Sequence, residues 1–160
     1  MFIELNNAEQ ALARSIATQR WTSCREAGLV NPQQGTVLSE QEMDLEGAGA
    51  ELAFCKLANV YPDLADDYTN QVDAWTRYGD RIDVKATRHE RGRLLAVRWK
   101  QTGKVDFFVL MVGTFPKYRC VGFFRSEDLL KSHRLIPLGR GFSYAAEQDE
   151  LQRIEELLGD

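Results

Sequence analysis

The sequence predicts one α+β domain in which a mixed central β-sheet is flanked by helices. Three observations favour this class: helical spacing of apolar residues early in the chain, strand-like patterns from residue 71 onward, and no repeat or linker. The chain has 160 residues, which is a single-domain length. We therefore expect one domain over residues 1–160.

Two helices are expected before the strands. Residues 8–27 carry apolar side chains near helical spacing, and residues 28–35 break that pattern. Ser39 with Glu42 three residues later forms a capping box, so a second helix should begin there and end at residues 61–62. Its apolar stripe is predicted to consist of Leu45, Ala48, Leu52 and Cys55.

Strands joined by turns are expected in the second half of the chain. The predicted strands are residues 71–76, 81–88, 93–100, 105–114, 118–125 and, as a last edge strand, 142–146. Residues 105–114 are apolar apart from Asp106 and Thr114, which is typical of a central strand covered on both faces. Ser126 is expected to cap a short helix through Lys131, and residues 149–158 to form a terminal helix.

Composition excludes several classes of protein. With 44% hydrophobic and 28% charged residues, the chain is neither disordered nor of low complexity. The longest apolar run, residues 107–112, is far shorter than the ~20 residues that span a bilayer. The N-terminus does not resemble a signal peptide, and Cys24, Cys55 and Cys120 form no paired motif. We expect no membrane partner and a cytoplasmic, intracellular location.

The charge is unevenly distributed. The net charge is −4, yet residues 71–104 carry nine basic and four acidic side chains. Such a block can bind an anionic ligand, or it can be an ordinary solvated strand face. The first candidates for phosphate contacts are Arg77, Arg81, Arg88 and His89. Trp75 and Tyr78 are either packing residues or surfaces on which bases stack.

Asp73, Asp83 and Lys85 are the most informative residues for chemistry. Strand alternation puts Asp83 and Lys85 on one face, with Val84 on the core face together with Ile82 and Ala86. A hairpin turn centred on Tyr78 would place Asp73 directly opposite Asp83. Because opposed like charges destabilise a sheet, a divalent cation is the natural explanation, and carboxylates suit Mg²⁺ or Mn²⁺.

Glu51 extends this cluster. It lies near the centre of the apolar stripe of the second helix, where a carboxylate is rarely buried without a partner. Gly47 and Gly49 would allow that helix to approach the sheet, so that Glu51 reaches the same ion. Lys85 beside the carboxylates fits phosphodiester hydrolysis, in which an ammonium orients water, stabilises the transition state or acts as a base.

At these positions the sequence resembles the PD-(D/E)xK nuclease superfamily. The resemblance consists of Glu51 in a Gly-rich helix, Asp73 on a strand, and Asp83-Val84-Lys85 on the next strand. It implies a restriction-endonuclease-like core at about residues 40–125 and a Mg²⁺- or Mn²⁺-dependent endonuclease acting on DNA. In that case Asp73, Asp83 and Glu51 carry the metal and Lys85 is catalytic. Cleavage of both strands would suit a homodimer.

Several alternatives stay open. The Pro62-Asp63 dipeptide also matches the first motif, but we prefer Asp73 because it is one hairpin away from Asp83. The chain could instead be an inactive nuclease-like protein that binds nucleic acid or a protein partner. In a third interpretation, Asp83 with Lys85 and the neighbouring acids are a structural ion-pair network, and Glu51 extends to solvent.

Overall fold

The fold is described by a computed structural model over residues 1–28, 39–65, 71–139 and 141–159. The α-helices in this part of the chain are α1 (Asn7–Glu26), α2 (Glu40–Ala58), α3 (Ser126–Leu129) and α4 (Ile154–Leu158). The strands are β1 (Phe2–Glu4), β2 (Ala74–Trp75), β3 (Arg81–Thr87), β4 (Leu94–Val97), β5 (Phe107–Thr114), β6 (Lys117–Arg125), β7 (Leu135–Leu138) and β8 (Gly141–Ala146). The predicted α+β class is confirmed. None of the described helices is long and apolar enough to cross a membrane.

Helices α1 and α2 confirm the two helices expected from the sequence. Ser39 is the N-cap of α2, and the predicted capping box forms with Glu42. An equivalent box at Asn6 and Glu9 begins α1. The two helices pack against each other as an antiparallel pair, as expected of consecutive helices. The predicted break at residues 28–35 lies, apart from Gly28, outside the described residues.

The strands form two sheets rather than the single sheet expected. A five-stranded sheet has the order β1-β6-β5-β3-β2, in which β3 and β5 are parallel and the other pairs antiparallel. A separate antiparallel sheet has the order β4-β8-β7. The prediction that residues 142–146 form an edge strand is therefore wrong, because β8 is the central strand of the smaller sheet. Alternation of apolar and polar side chains identifies a strand but does not show which strands pair with it.

Other predicted elements are shorter than expected. Strand β2 covers two residues of the predicted 71–76, and Ser126 is the first residue of α3 without a side-chain capping bond. The terminal helix 149–158 is split into a 3₁₀ turn at Gln148–Glu150 and α4. Gln152 causes the split, because its backbone exchanges hydrogen bonds with Phe123 at 2.9 and 3.0 Å. Strands β1 and β7 were not predicted.

The central strand β5 separates two hydrophobic clusters, one on each face of the larger sheet. Helix α2 covers the face that carries Ile82 and Val84, as predicted for the core side of β3. Ala86 is exposed, contrary to the prediction. Asp83 and Lys85 lie on the opposite face, in register with Phe108 and Leu110 of β5.

Gly49 is the residue that brings α2 close to the sheet. A Cβ atom at this position would clash with the Tyr118 hydroxyl and would lie 2.8 Å from Phe115 Cδ2. Gly47 faces open space instead, so the prediction that it also permits a close approach is wrong. Only one of the two glycines is required by packing.

This difference gives a matched pair of substitutions. Gly49→Ala should lower the free energy of unfolding by about 1–3 kcal/mol, because the added methyl group overpacks the contact with Tyr118. Gly47→Ala should raise it by about 0.5–1 kcal/mol through helix propensity. Urea denaturation of both variants measures the difference, and equal effects would contradict the packing described.

Candidate active site

The hairpin formed by β2 and β3 has the register that the sequence predicts. The paired residues are Ala74 with Ile82 and Trp75 with Arg81. This register centres the turn on Tyr78, and Gly79 takes a φ of 90°, which suits glycine. Asp73 directly precedes β2 and Asp83 follows Ile82, so the two carboxylates are brought to the same end of the hairpin.

Asp73 is fixed at the point where pairing between β2 and β3 ends. Its backbone N–H donates to the Ile82 carbonyl at 2.8 Å. Its Oδ2 accepts a hydrogen bond of 2.7 Å from the backbone N–H of Val84. The carboxylate thus takes the place of a ladder acceptor where the pairing of β2 with β3 has ended.

The electrostatic environment of Asp73 is strongly unfavourable to its charged form. Burial raises the pKa of Asp73 well above its ordinary value, and the charges of Glu51 and Asp83 raise it further. The attraction of Lys85 and the hydrogen bond from Val84 offset only part of this effect. Asp73 therefore lies within electrostatic reach of the other three predicted residues.

Asp83 is the most deeply buried of these acids, since its side chain is 1% exposed. Lys100 Nζ donates to Asp83 Oδ2 at 2.6 Å. Lys85 Nζ forms an ion pair with Oδ1, on the same strand face as predicted, but that oxygen accepts no hydrogen bond in the described part of the chain. One carboxylate is thus shared by two ammonium groups.

Lys85 keeps its proton in this environment. Burial acts to lower the pKa of Lys85, but the charges of Asp83, Asp73 and Glu51 outweigh burial and raise it. At neutral pH the side chain is an ammonium. This charge state favours a role in orienting water or stabilising anionic charge over a role as base.

Glu51 reaches the cluster from α2, on the other side of the sheet. Its side chain is 14% exposed and accepts two hydrogen bonds from Arg20 of α1, at 2.6 and 2.8 Å. The expectation that this carboxylate needs a partner is confirmed, and its extension into solvent is excluded. The fork of the guanidinium holds Glu51 in one orientation.

Lys100 and Arg20 were both missed by sequence reasoning. Arg20 continues the buried stripe of α1 that contains Ala13 and Ala17, so helical spacing could have singled it out. Lys100 follows β4, and no signal distinguishes it from the other basic residues of segment 71–104. Only the packing of the smaller sheet against β3 and β5 brings it to Asp83.

The acidic and basic side chains described above are equal in number, with three of each. We call it the carboxylate–lysine cluster and define it as Glu51, Asp73, Asp83, Lys85, Lys100 and Arg20. Within the described residues, no group of three or more His, Cys, Asp or Glu side chains is arranged to hold a metal ion. The carboxylate oxygens of Glu51 and Asp83 are instead occupied by ion pairs with Arg20, Lys85 and Lys100.

The basic residues predicted to contact nucleic acid have varied surroundings. Arg81 pairs with Asp106 at 2.8 Å, and Arg88 pairs with Glu46 at 2.8 Å. His89 is exposed, and the Arg77 guanidinium lies 4.9 Å from the centre of the Tyr78 ring. Trp75 and Tyr78 are 47% and 63% exposed, so neither is a core packing residue. The assignment of these side chains to nucleic-acid binding stays a prediction.

Glu46 is a second buried acid of α2 and has a different environment. Its carboxylate accepts hydrogen bonds from the Tyr118 hydroxyl at 2.9 Å, from the Phe115 backbone N–H at 3.0 Å, and from Arg88. These bonds fasten α2 to the turn between β5 and β6. Glu46 therefore has a structural role, and part of the Arg88 side chain is committed to it.

The alternative motif at Pro62-Asp63 differs from Asp73 in its local setting. Asp63 Oδ1 accepts a hydrogen bond of 2.9 Å from the backbone N–H of Ala65, which forms a local turn after α2. Asp73, in contrast, interacts electrostatically with Glu51, Asp83 and Lys85. The preference for Asp73 agrees with this geometry.

Comparison with known proteins identifies no family for this chain. No protein-family model matches it, and no curated protein matches it. The resemblance to the PD-(D/E)xK superfamily therefore depends on the residues and geometry described above, and it stays a prediction.

The raised pKa of Asp73 predicts how stability changes with pH. Because the folded protein binds this proton more tightly than the unfolded chain does, the native state loses stability as pH rises from about 4 through the folded pKa. Asp73→Asn keeps an acceptor for Val84 and removes the charge. Its melting temperature should exceed that of the wild type at pH 8, and the difference should vanish near pH 4.

Asp106→Asn provides a control of opposite sign. The hydrogen bond with Arg81 lowers the pKa of Asp106 despite some burial, so its charge stabilises the native state above the unfolded pKa. This variant should melt below the wild type at pH 7 and approach it as pH falls to 3. A melting temperature of Asp73→Asn at or below that of the wild type at pH 8 would contradict the repulsion described for Asp73.

Proposed function

We propose that this protein is a metal-dependent nuclease that hydrolyses phosphodiester bonds in DNA. The observation that carries the proposal is the meeting of Asp73, Asp83 and Lys85 at one end of the β2–β3 hairpin, with Glu51 close enough to affect both Asp73 and Lys85. These residues come from a helix and two strands that are separate in sequence. A purely structural ion pair needs only two of them.

The order of elements supports a restriction-endonuclease-like core. Helix α2 precedes the β2–β3 hairpin, and the next strand of the same sheet, β5, lies parallel to β3. The connection between β3 and β5 passes through β4 in the smaller sheet and contains no described helix. In our proposal this connection replaces a crossover helix and delivers Lys100 to the site.

The donor set fits a divalent cation in its chemistry. Asp73, Asp83 and Glu51 offer hard oxygen ligands of the kind that Mg²⁺ and Mn²⁺ prefer. Burial raises the pKa of Asp73, the charges of Glu51 and Asp83 raise it further, and a bound cation would relieve that repulsion. These three residues would hold the ion, which would supply Lewis-acid polarisation of a phosphoryl oxygen and a more acidic water.

Lys85 has the central catalytic role in this proposal. Its ammonium stays charged and is 30% exposed, so it can approach a bound phosphodiester while contacting Asp83. A fixed ammonium beside the phosphorus stabilises the negative charge that develops as water attacks. Arg20 orients Glu51, and Val84 orients Asp73 through its backbone.

The surface next to the cluster supports a nucleic acid as substrate. Trp75 lies two residues after Asp73 on the edge strand and is 47% exposed, so it can stack on a base. Arg77 and Tyr78 form an exposed cation–π pair in the adjoining turn. Arg81, Arg88 and His89 follow on β3 and just beyond it. The phosphate contacts that we propose are Arg77, Arg81, Arg88 and His89.

A second candidate is favoured by the ion pairs themselves. With Glu51 on Arg20 and Asp83 on two lysines, the cluster could serve stability alone, or belong to an inactive nuclease-like protein that binds nucleic acid or a protein. A titration with Mn²⁺ separates these functions, because specific binding raises the melting temperature by mass action. A structural network would show little response.

Cleavage assays test the proposal directly. Wild-type protein should cut DNA in Mg²⁺ or Mn²⁺ but not in EDTA, with single-stranded, duplex and branched substrates assayed side by side. Asp83→Asn should abolish cleavage because it removes a ligand charge. Lys85→Met should slow cleavage at least about 100-fold because transition-state charge loses its stabilising cation.

Lys56→Met is the matched control for Lys85→Met. Lys56 also pairs with a carboxylate, Glu9 at 2.9 Å, but it lies outside the carboxylate–lysine cluster. Cleavage by this variant should equal that of the wild type. Circular dichroism verifies that each variant is folded, and unchanged cleavage by folded Asp83→Asn and Lys85→Met would reject the nuclease assignment.

A further inference from the structure

Lys100 is a charged side chain that the mechanism above does not use. Its side chain is only 13% exposed, and its ammonium donates the one side-chain hydrogen bond described for the Asp83 carboxylate. Lysine is seldom buried to this extent without a specific partner. General solubility or surface charge therefore does not explain the position of Lys100.

The two lysines on Asp83 are held differently. Lys85 belongs to β3, two residues from Asp83, and forms an ion pair with Oδ1. Lys100 belongs to a turn just after β4, where its backbone N–H donates to the Val97 carbonyl at 3.0 Å. Its contact with Asp83 is a single hydrogen bond from a long, flexible stem. Both side chains can rotate away from Asp83 without moving the backbone, and Lys100 differs from Lys85 in being carried by a turn.

A divalent ion at Asp83 would compete with the cations already there. The carboxylate–lysine cluster already has as many cations as carboxylates, so adding a divalent ion would leave an excess of positive charge in a largely buried place. Arg20 is bound to Glu51 by two hydrogen bonds and is the hardest to release. Lys100 occupies Oδ2 of Asp83, an oxygen that a metal ion would need.

We propose that Lys100 is a built-in counter-ion of Asp83, which holds this carboxylate in place while no metal is bound and yields its oxygen to a divalent cation. Lys100 is thus a positioning residue, distinct from the catalytic Lys85. This inference rests on the proposed function, since it concerns the same metal site. It predicts that Lys100 stabilises the metal-free protein and competes with the metal.

Metal binding by the full-length chain tests the proposal without any cleavage. Mn²⁺ alone is titrated into wild type, Lys100→Met and Lys100→Arg by calorimetry, and melting temperatures are measured with and without Mn²⁺. Lys100→Met should bind Mn²⁺ about tenfold more tightly, because a cation competing at hydrogen-bond distance is gone. It should also melt lower than the wild type without metal, and this deficit should shrink when Mn²⁺ is saturating. Lys100→Arg should restore the wild-type affinity.

Lys104→Met is the control within the same segment. Lys104 is exposed and has the same charge, so its loss should leave Mn²⁺ affinity within about twofold of the wild type by general screening alone. If Lys100→Met lowers stability equally with and without Mn²⁺ and leaves the affinity unchanged, Lys100 is only structural and the inference is overturned. If the wild type itself binds no Mn²⁺ and cuts no DNA, the proposed function fails first.

Discussion

Asp83 is the side chain on which the arrangement of this molecule most depends. A carboxylate that is 1% exposed is stable only with cationic partners, and here Lys85 and Lys100 supply them from a strand and from the turn after β4. The same requirement explains the bidentate bond between Arg20 and Glu51. Pairing of buried acids thus joins α1, α2, β3 and the smaller sheet around one point.

The short edge strand makes this convergence possible. Strand β2 pairs with β3 through only two residues and the pairing ends at Ile82, so the Asp73 carboxylate can accept from the Val84 N–H. Asp73 at this edge is affected by the charges of Glu51, from the helix side, and of Asp83, from the opposite face. The truncated strand is therefore a functional feature in our proposal.

Two acids of α2, Glu46 and Glu51, illustrate how burial leads to different outcomes. Glu46 accepts hydrogen bonds from Tyr118, from the Phe115 backbone and from Arg88, and these bonds hold α2 in place. Glu51 lies close enough to Asp73 for the two charges to interact, and a bound cation would change that interaction. Glu46 has hydrogen-bond donors for its carboxylate and is structural, whereas Glu51 lies among other acids and in our proposal is available for chemistry.

The sequence by itself determined the two helices and the capping box that begins α2, the hairpin register centred on Tyr78, and the joint position of Asp73, Asp83 and Lys85, because all of these follow from local spacing and turn geometry. Glu51 was also predictable from its place on an apolar stripe. Only the tertiary structure decided that β4 and β8 form a second sheet, and that Arg20 and Lys100 complete the charges. Such pairings join residues far apart in the chain, and alternation of side chains carries no information about which distant strand or cation will be the partner.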